Sequence, residues 1–170
     1  IAAAAGLAGQ GEGEPPHVIV FPEIPFDKQA FLDRVAESVR RYDYCVAVVS
    51  EGARYADGRF LAEAGGKDAF GHAQLGGVAA TVAQLVKSKL GFKFHYAIAD
   101  YLQRSARHIA SKVDVEQAYA VGKAAVELAL AGENAVMPIV VRKSAKPYRW
   151  TVGKVSLAKV ANREKMMPRN

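Results

Sequence analysis

The residues best suited to chemistry stand together in IADYLQRSARH, Ile98 to His108, where an apolar run ends in Tyr101, Gln103, Arg104, Arg107 and His108. Arginine grips a phosphate or carboxylate through two parallel hydrogen bonds, and a tyrosine hydroxyl adds a third contact. This cluster therefore suits a small anionic ligand. Charged groups also follow a strand simply because the chain has reached water, and on position alone both readings stand. Glu23, in VIVFPEIPF, follows another apolar run. In an open α/β sheet, a carboxylate outside the carboxyl end of a strand can accept hydrogen bonds from sugar hydroxyls; it can equally be a surface residue of a Pro-fixed turn. Ser50, Glu51 and Arg54 end a further run in the same way, where capping and solvation explain them as well. Lys93 and His95 alternate with Phe92, Phe94 and Tyr96, so an extended segment would point the two groups to opposite faces. The face with Lys93 and His95 suits either a neighbouring subunit or the exposed side of an edge strand.

Other chemistries find no pattern. The four histidines have no ligand spacing and Cys45 has no second cysteine, so no metal site is expected. FGHAQLGG carries neither the P-loop spacing nor a nucleophile elbow, and its glycines before an apolar run fit a tightly packed helix entry.

The elements that must position these residues follow from periodicity. HVIVF, from His17 to Phe21, reads as a short buried strand stopped by Pro22. FDKQAFLDRVAESVRRY has Phe31, Leu32, Val35 and Val39 at helical spacing, with Asp27 as N-cap. YCVAVVSE is a second continuous strand. The stretch from Ser50 to Gly77 reads as a long, Gly-rich loop, functional or mobile. A helix then carries Val78, Val82, Leu85 and Val86 on one face and stops at Gly91. FKFHYAIADY is expected to be the third strand, and DVEQAYAVGKAAVELALAG a helix capped by Asp114 and ended by Gly132. AVMPIVVRK and YRWTVGKVSLAKV give a closing strand and hairpin. Buried strands alternating with helices predict an α/β fold, a mostly parallel sheet flanked by helices in three Rossmann-like layers.

Composition sets outer bounds. A chain of 170 residues, 51% apolar, suits one domain with a continuous core. No apolar run approaches the roughly 20 residues of a bilayer span, so a soluble protein is expected, with no membrane partner. The single cysteine, inside an apolar run, implies an inert buried thiol and fits a reducing cytoplasm. Formal net charge is +6, but the cations are spread without an aromatic-interleaved stripe, which argues against nucleic acid as partner. The chain opens on Ile1 inside an Ala-rich helical stretch, which suggests a piece of a longer protein.

The motifs PPHVIVFPEIPF, VAVVSEG, FGHAQLGG, LGFKFHYAIADYLQRSARHIASKVD and VGKAAVELALAG, in that order, resemble the C-terminal half of 6-phosphofructokinases, most closely the diphosphate-dependent subgroup. The resemblance implies phosphoryl transfer from diphosphate to the 1-hydroxyl of fructose 6-phosphate, a step of glycolysis, with magnesium as cofactor. It places a sugar contact on Glu23, a contact near the reacting end or phosphate on Arg104, and a 6-phosphate ligand three residues earlier on Tyr101. Nine residues before Arg104, where ATP-dependent members offer an arginine to the neighbouring subunit's substrate, stands His95, with Lys93 as a possible substitute. The resemblance further implies homodimers or homotetramers. The family's donor-phosphate loop, its catalytic base and most of its magnesium site lie upstream of the matching region, so residues 1–170 would be the substrate-binding part, with no catalytic base and inactive alone. A non-catalytic sugar-phosphate-binding or regulatory module is the alternative.

Overall fold

The computed structural model describes residues 1–61, 63–67, 73–75 and 77–167. Length alone suggests one domain, yet the chain divides into two compact units, Ile1–Ile98 and Ala99–Asn170.

The first unit is built on β1 (Val18–Val20) and β2 (Ala47–Val49), which pair in parallel from Val18↔Ala47 to Val20↔Val49. A short helix, α1 (Ala2–Ala5), precedes them. A parallel pair needs a crossover, and α2 (Lys28–Tyr42) supplies it. Its start is fixed as the sequence predicts: the Asp27 carboxylate accepts a hydrogen bond from the Ala30 N–H at 2.9 Å. Asp27→Ala should cost about 1 kcal/mol of first-unit stability, read as a lower urea midpoint; an unchanged midpoint would show the cap to be idle. Phe31, Leu32 and Val35 of α2 are buried, as are Val20, Phe26, Ala53, Leu61, Val78 and Val82. These side chains form the core. His17 ties the entry of β1 to that of β2, since the Val46 N–H donates to its Nδ1 at 3.0 Å. That leaves the proton on Nε2, which faces the Gly13 carbonyl at 3.2 Å.

Cys45 lies just before β2, half-buried against the core. Burial pushes its thiol pKa up, against a smaller opposing effect of the Ser38 hydroxyl. Since the thiolate is the reactive form, Ellman's reagent at neutral pH should modify the folded chain far more slowly than the urea-unfolded one. The raised value also means that stability falls as pH climbs past the usual thiol range, about 8.5. Equal rates in the folded and unfolded chain would contradict the burial.

Three expectations need correction in this unit. Residues 51–61 are not a structureless loop: Tyr55 N–H bonds to the Arg59 carbonyl at 2.9 Å, Leu61 N–H to that of Ala53 at 3.0 Å, and Ala53 is fully buried. Asp57 accepts from the Arg59 backbone and guanidinium, which together hold its carboxyl below the usual range. Beyond this turn, β3 (Glu63–Lys67) and β4 (Ala73–Leu75) pair antiparallel where no strand is predicted. His72 lies outside the described residues. Third, residues 91–99 carry no regular secondary structure, although a strand is expected there. The apolar alternation marks an extended chain, but a strand also needs a partner for its backbone groups; among the described residues none pairs with it. The helix between, α3 (Val78–Leu90), does end at Gly91 as predicted, with φ 72° in the left-handed region. Gly77, at φ 80°, opens it, which accounts for a glycine there without an anion.

The second unit holds α4 (Leu102–Ser105), α5 (Lys112–Leu130), β5 (Val136–Ala145) and β6 (Tyr148–Ser156). Ser111, not Asp114, caps α5, its hydroxyl accepting from the Asp114 N–H at 3.5 Å; Asp114 falls in the first turn, where a carboxylate favours the helix dipole. Strands β5 and β6 form an antiparallel hairpin, with a register slip that leaves Lys143 unpaired between Arg142 and Ser144. Gln117 of α5 donates to the Tyr148 hydroxyl at 2.7 Å, and Lys154 pairs with Glu133 at 2.6 Å. Among the described residues of this unit no side chain is buried, and Tyr119 and Leu130 of α5 are 75% and 84% exposed. No helix among the described residues is long and apolar enough to cross a membrane.

Candidate functional site

Glu23 occupies the turn directly after β1, half-buried, with Phe21 and Pro22 before it. The end of β2 lies beside it, because the Ser50 N–H bonds to the Val20 carbonyl at 3.0 Å. Ser50 and Glu51 therefore share with Glu23 the carboxyl edge of the parallel pair, the edge at which α/β sheets open to ligands. Pro22 closes over Gly52, where an added Cβ would come within 3.3 Å of the proline Cβ. Arg54 lies 4.1 Å over the Phe60 ring, so it packs within its own turn.

Lys93 and His95 are exposed while Phe92 and Phe94 are half-buried, so the two-sided alternation holds without a strand as far as His95; Tyr96, expected on the face of Phe92 and Phe94, is exposed. Phe92 packs on the core, and Phe94 stacks with Tyr96 at 6.3 Å.

Tyr101 and Arg104 belong to the second unit. They stand not at a strand end but on one helical turn, Tyr101 as the N-cap of α4 and Arg104 within it. Asp100, just before, takes φ 42°, a conformation that asparagine and aspartate tolerate better than most residues. It turns the extended segment into the helix. Residues three apart on a helix share a face, and the Arg104 guanidinium carbon lies 5.0 Å from the centre of the Tyr101 ring. Tyr101 is 64% exposed, so the pair faces water, its hydroxyl and guanidinium donors available to an anion. The Gln103 side chain lies outside the described residues. Arg107 and His108 follow on an exposed 3-10 turn.

Of the predicted residues, then, the structure pairs Tyr101 with Arg104 in one unit and sets Glu23, Lys93 and His95 in the other. Sequence reasoning missed Tyr55, whose ring has Lys28 Nζ at 5.1 Å and the Arg59 guanidinium at 5.9 Å; nothing in the spacing of three such distant residues announces it. Among the described residues no three His, Cys, Asp or Glu side chains come together.

The phosphofructokinase family model matches residues 1–129. The chain belongs to the phosphofructokinase family. Over all 170 residues this phosphofructokinase chain is 65% identical to the pyrophosphate–fructose 6-phosphate 1-phosphotransferase of Halomonas elongata, and covers 41% of that protein. It is 62% identical over 168 residues to the protein of the same name from Methylococcus capsulatus, covering 99% of this chain and 40% of the relative. The crystal structure of pyrophosphate-dependent phosphofructokinase from Marinobacter aquaeolei superposes with a TM-score of 0.75 at 59% identity, over 98% of this chain and 38% of the neighbour. The α/β class expected of the family holds. Among the described residues parallel pairing is that of β1 and β2, while the other two ladders are antiparallel.

Proposed function

We propose that the chain carries the fructose 6-phosphate site of a diphosphate-dependent 6-phosphofructokinase. The observation that carries this reading is the Tyr101–Arg104 pair, set on one exposed turn of a family member 65% identical to a pyrophosphate–fructose 6-phosphate 1-phosphotransferase. In the reaction, the 1-hydroxyl oxygen of the sugar forms a bond to a phosphorus of diphosphate, the bridging P–O bond breaks, and inorganic phosphate leaves. The products are fructose 1,6-bisphosphate and phosphate.

This chain's part is to bind and orient. Arg104 donates to the 6-phosphate through its fork of N–H groups and the Tyr101 hydroxyl adds a further donor. Glu23 accepts from the sugar hydroxyls. Lys93 and His95 reach toward the substrate of a neighbouring subunit in a homodimer or homotetramer. Because the chain spans about 40% of its relatives, the base that takes the hydroxyl proton, the diphosphate and its magnesium are assigned to the remainder of the full-length protein. In-line transfer needs donor and acceptor held together, so these 170 residues alone are inactive. The setting is glycolysis in the cytoplasm.

Calorimetric titration tests the reading. Fructose 6-phosphate should bind the 170-residue chain, and a coupled assay with diphosphate and magnesium should show no turnover. Absence of binding to a chain folded by circular dichroism would remove the site; turnover above that of a Tyr101→Phe, Arg104→Ala double variant would remove the division of labour.

A further inference from the structure

Side chains on a helix lean back toward its N-terminus, so an arginine at the third position after a tyrosine is carried over the tyrosine ring. Arg104 and Tyr101 show this, with the guanidinium carbon 5.0 Å from the ring centre. A cation over an aromatic face is attracted by the ring's quadrupole. That attraction acts on the charge and uses none of the five N–H donors. Phosphate, in contrast, is gripped through those donors. Ring and phosphate therefore engage the same guanidinium without competing.

We infer that Tyr101 is a positioning residue, whose ring holds the Arg104 guanidinium in place on α4 before a phosphate arrives. This rests on the reading of the two residues as the sugar-phosphate clamp, and it gives the tyrosine two separable contributions. The hydroxyl donates to the ligand. The ring lowers the ordering cost of a long, exposed arginine, which otherwise has to be immobilised on binding.

Two substitutions separate them: Tyr101→Phe removes the hydroxyl and keeps the ring, and Tyr101→Leu removes both. Tyr101 is exposed, so both variants should fold, as circular dichroism checks. The ring's hold is read directly by NMR in the ligand-free chain, as an upfield ring-current displacement of the Arg104 δ-protons. It should be present in the parent and in Tyr101→Phe and lost in Tyr101→Leu. Titrated with fructose 6-phosphate at one salt concentration, Tyr101→Leu should bind about two- to five-fold more weakly than Tyr101→Phe, the range expected of an exposed cation–π contact. Equal affinities of the two variants would overturn the inference, and so would a parent chain that binds the sugar phosphate with no displacement of the δ-protons; in that second case the proposed function stands. The expected displacements, with no form binding fructose 6-phosphate, would support the ring's hold on Arg104 and overturn the proposed function instead.

Discussion

Replacing Arg104 by alanine is expected to weaken fructose 6-phosphate binding by about 1.5–3 kcal/mol, roughly 10- to 150-fold in Kd, the range for hydrogen bonds to a charged group. The side chain stands exposed on α4 and packs on the Tyr101 ring, not in a core. Its loss should therefore leave folding unchanged, and the whole effect should fall on the ligand. Arg104→Lys keeps the charge but gives up the planar fork, so it should recover only part of the affinity. Calorimetry at one fixed salt concentration checks both, because exposed charges are screened by salt. An Arg104→Ala chain that binds as the parent does would take the 6-phosphate away from this turn.

The largest expected effect on stability lies in the other unit. Phe31 is 5% exposed, at the N-terminal start of the apolar stripe of α2, with its ring 5.3 Å from that of Phe26. Phe31→Ala removes most of that side chain from a packed environment and leaves a cavity, which together cost about 3–5 kcal/mol. Small domains have about 5–15 kcal/mol in all. The first unit should then unfold at a markedly lower urea concentration, or fail to fold at 37 °C. Tyr119→Ala is the control: a large aromatic is lost, but one 75% exposed on α5, and the expected change is within about 0.5 kcal/mol. Similar losses from the two substitutions would show that the core is not where burial places it.

The helices were legible in the sequence where one apolar stripe and one cap agree. Asp27 with Phe31, Leu32 and Val35 gave α2, and Gly91 gave the end of α3. At α5, Ser111 and Asp114 are both good caps three residues apart, and nothing local decides between them. The segment after α3 shows a different limit. Alternation reports two-sidedness, which holds for half-buried Phe92 and Phe94 against exposed Lys93 and His95 but stops at Tyr96, itself exposed; it does not report hydrogen-bond pairing, which depends on a second segment. For the site, residue types marked Tyr101, Gln103, Arg104 and Arg107 as a cluster suited to an anion, and the family resemblance singled out Tyr101 and Arg104 within it. That these two stand on a helical turn was not readable, since the apolar run before them suggested a strand and the turn at Asp100 depends on one backbone angle.

The absence of a buried side chain among the described residues of the second unit bears on the order in which the chain comes apart. Its hairpin joins neighbours across a two-residue turn at Lys146 and Pro147, so its contacts are local and form early. The same contacts are cheap to open, because little apolar surface is exposed when they do. In deuterium exchange the amides of α5 should turn over through such partial openings, well before those of α2, whose release requires Phe31, Leu32 and Val35 to leave the core. The turn that carries Tyr101 and Arg104 thus belongs to the unit that breathes, and Glu23 to the one that does not.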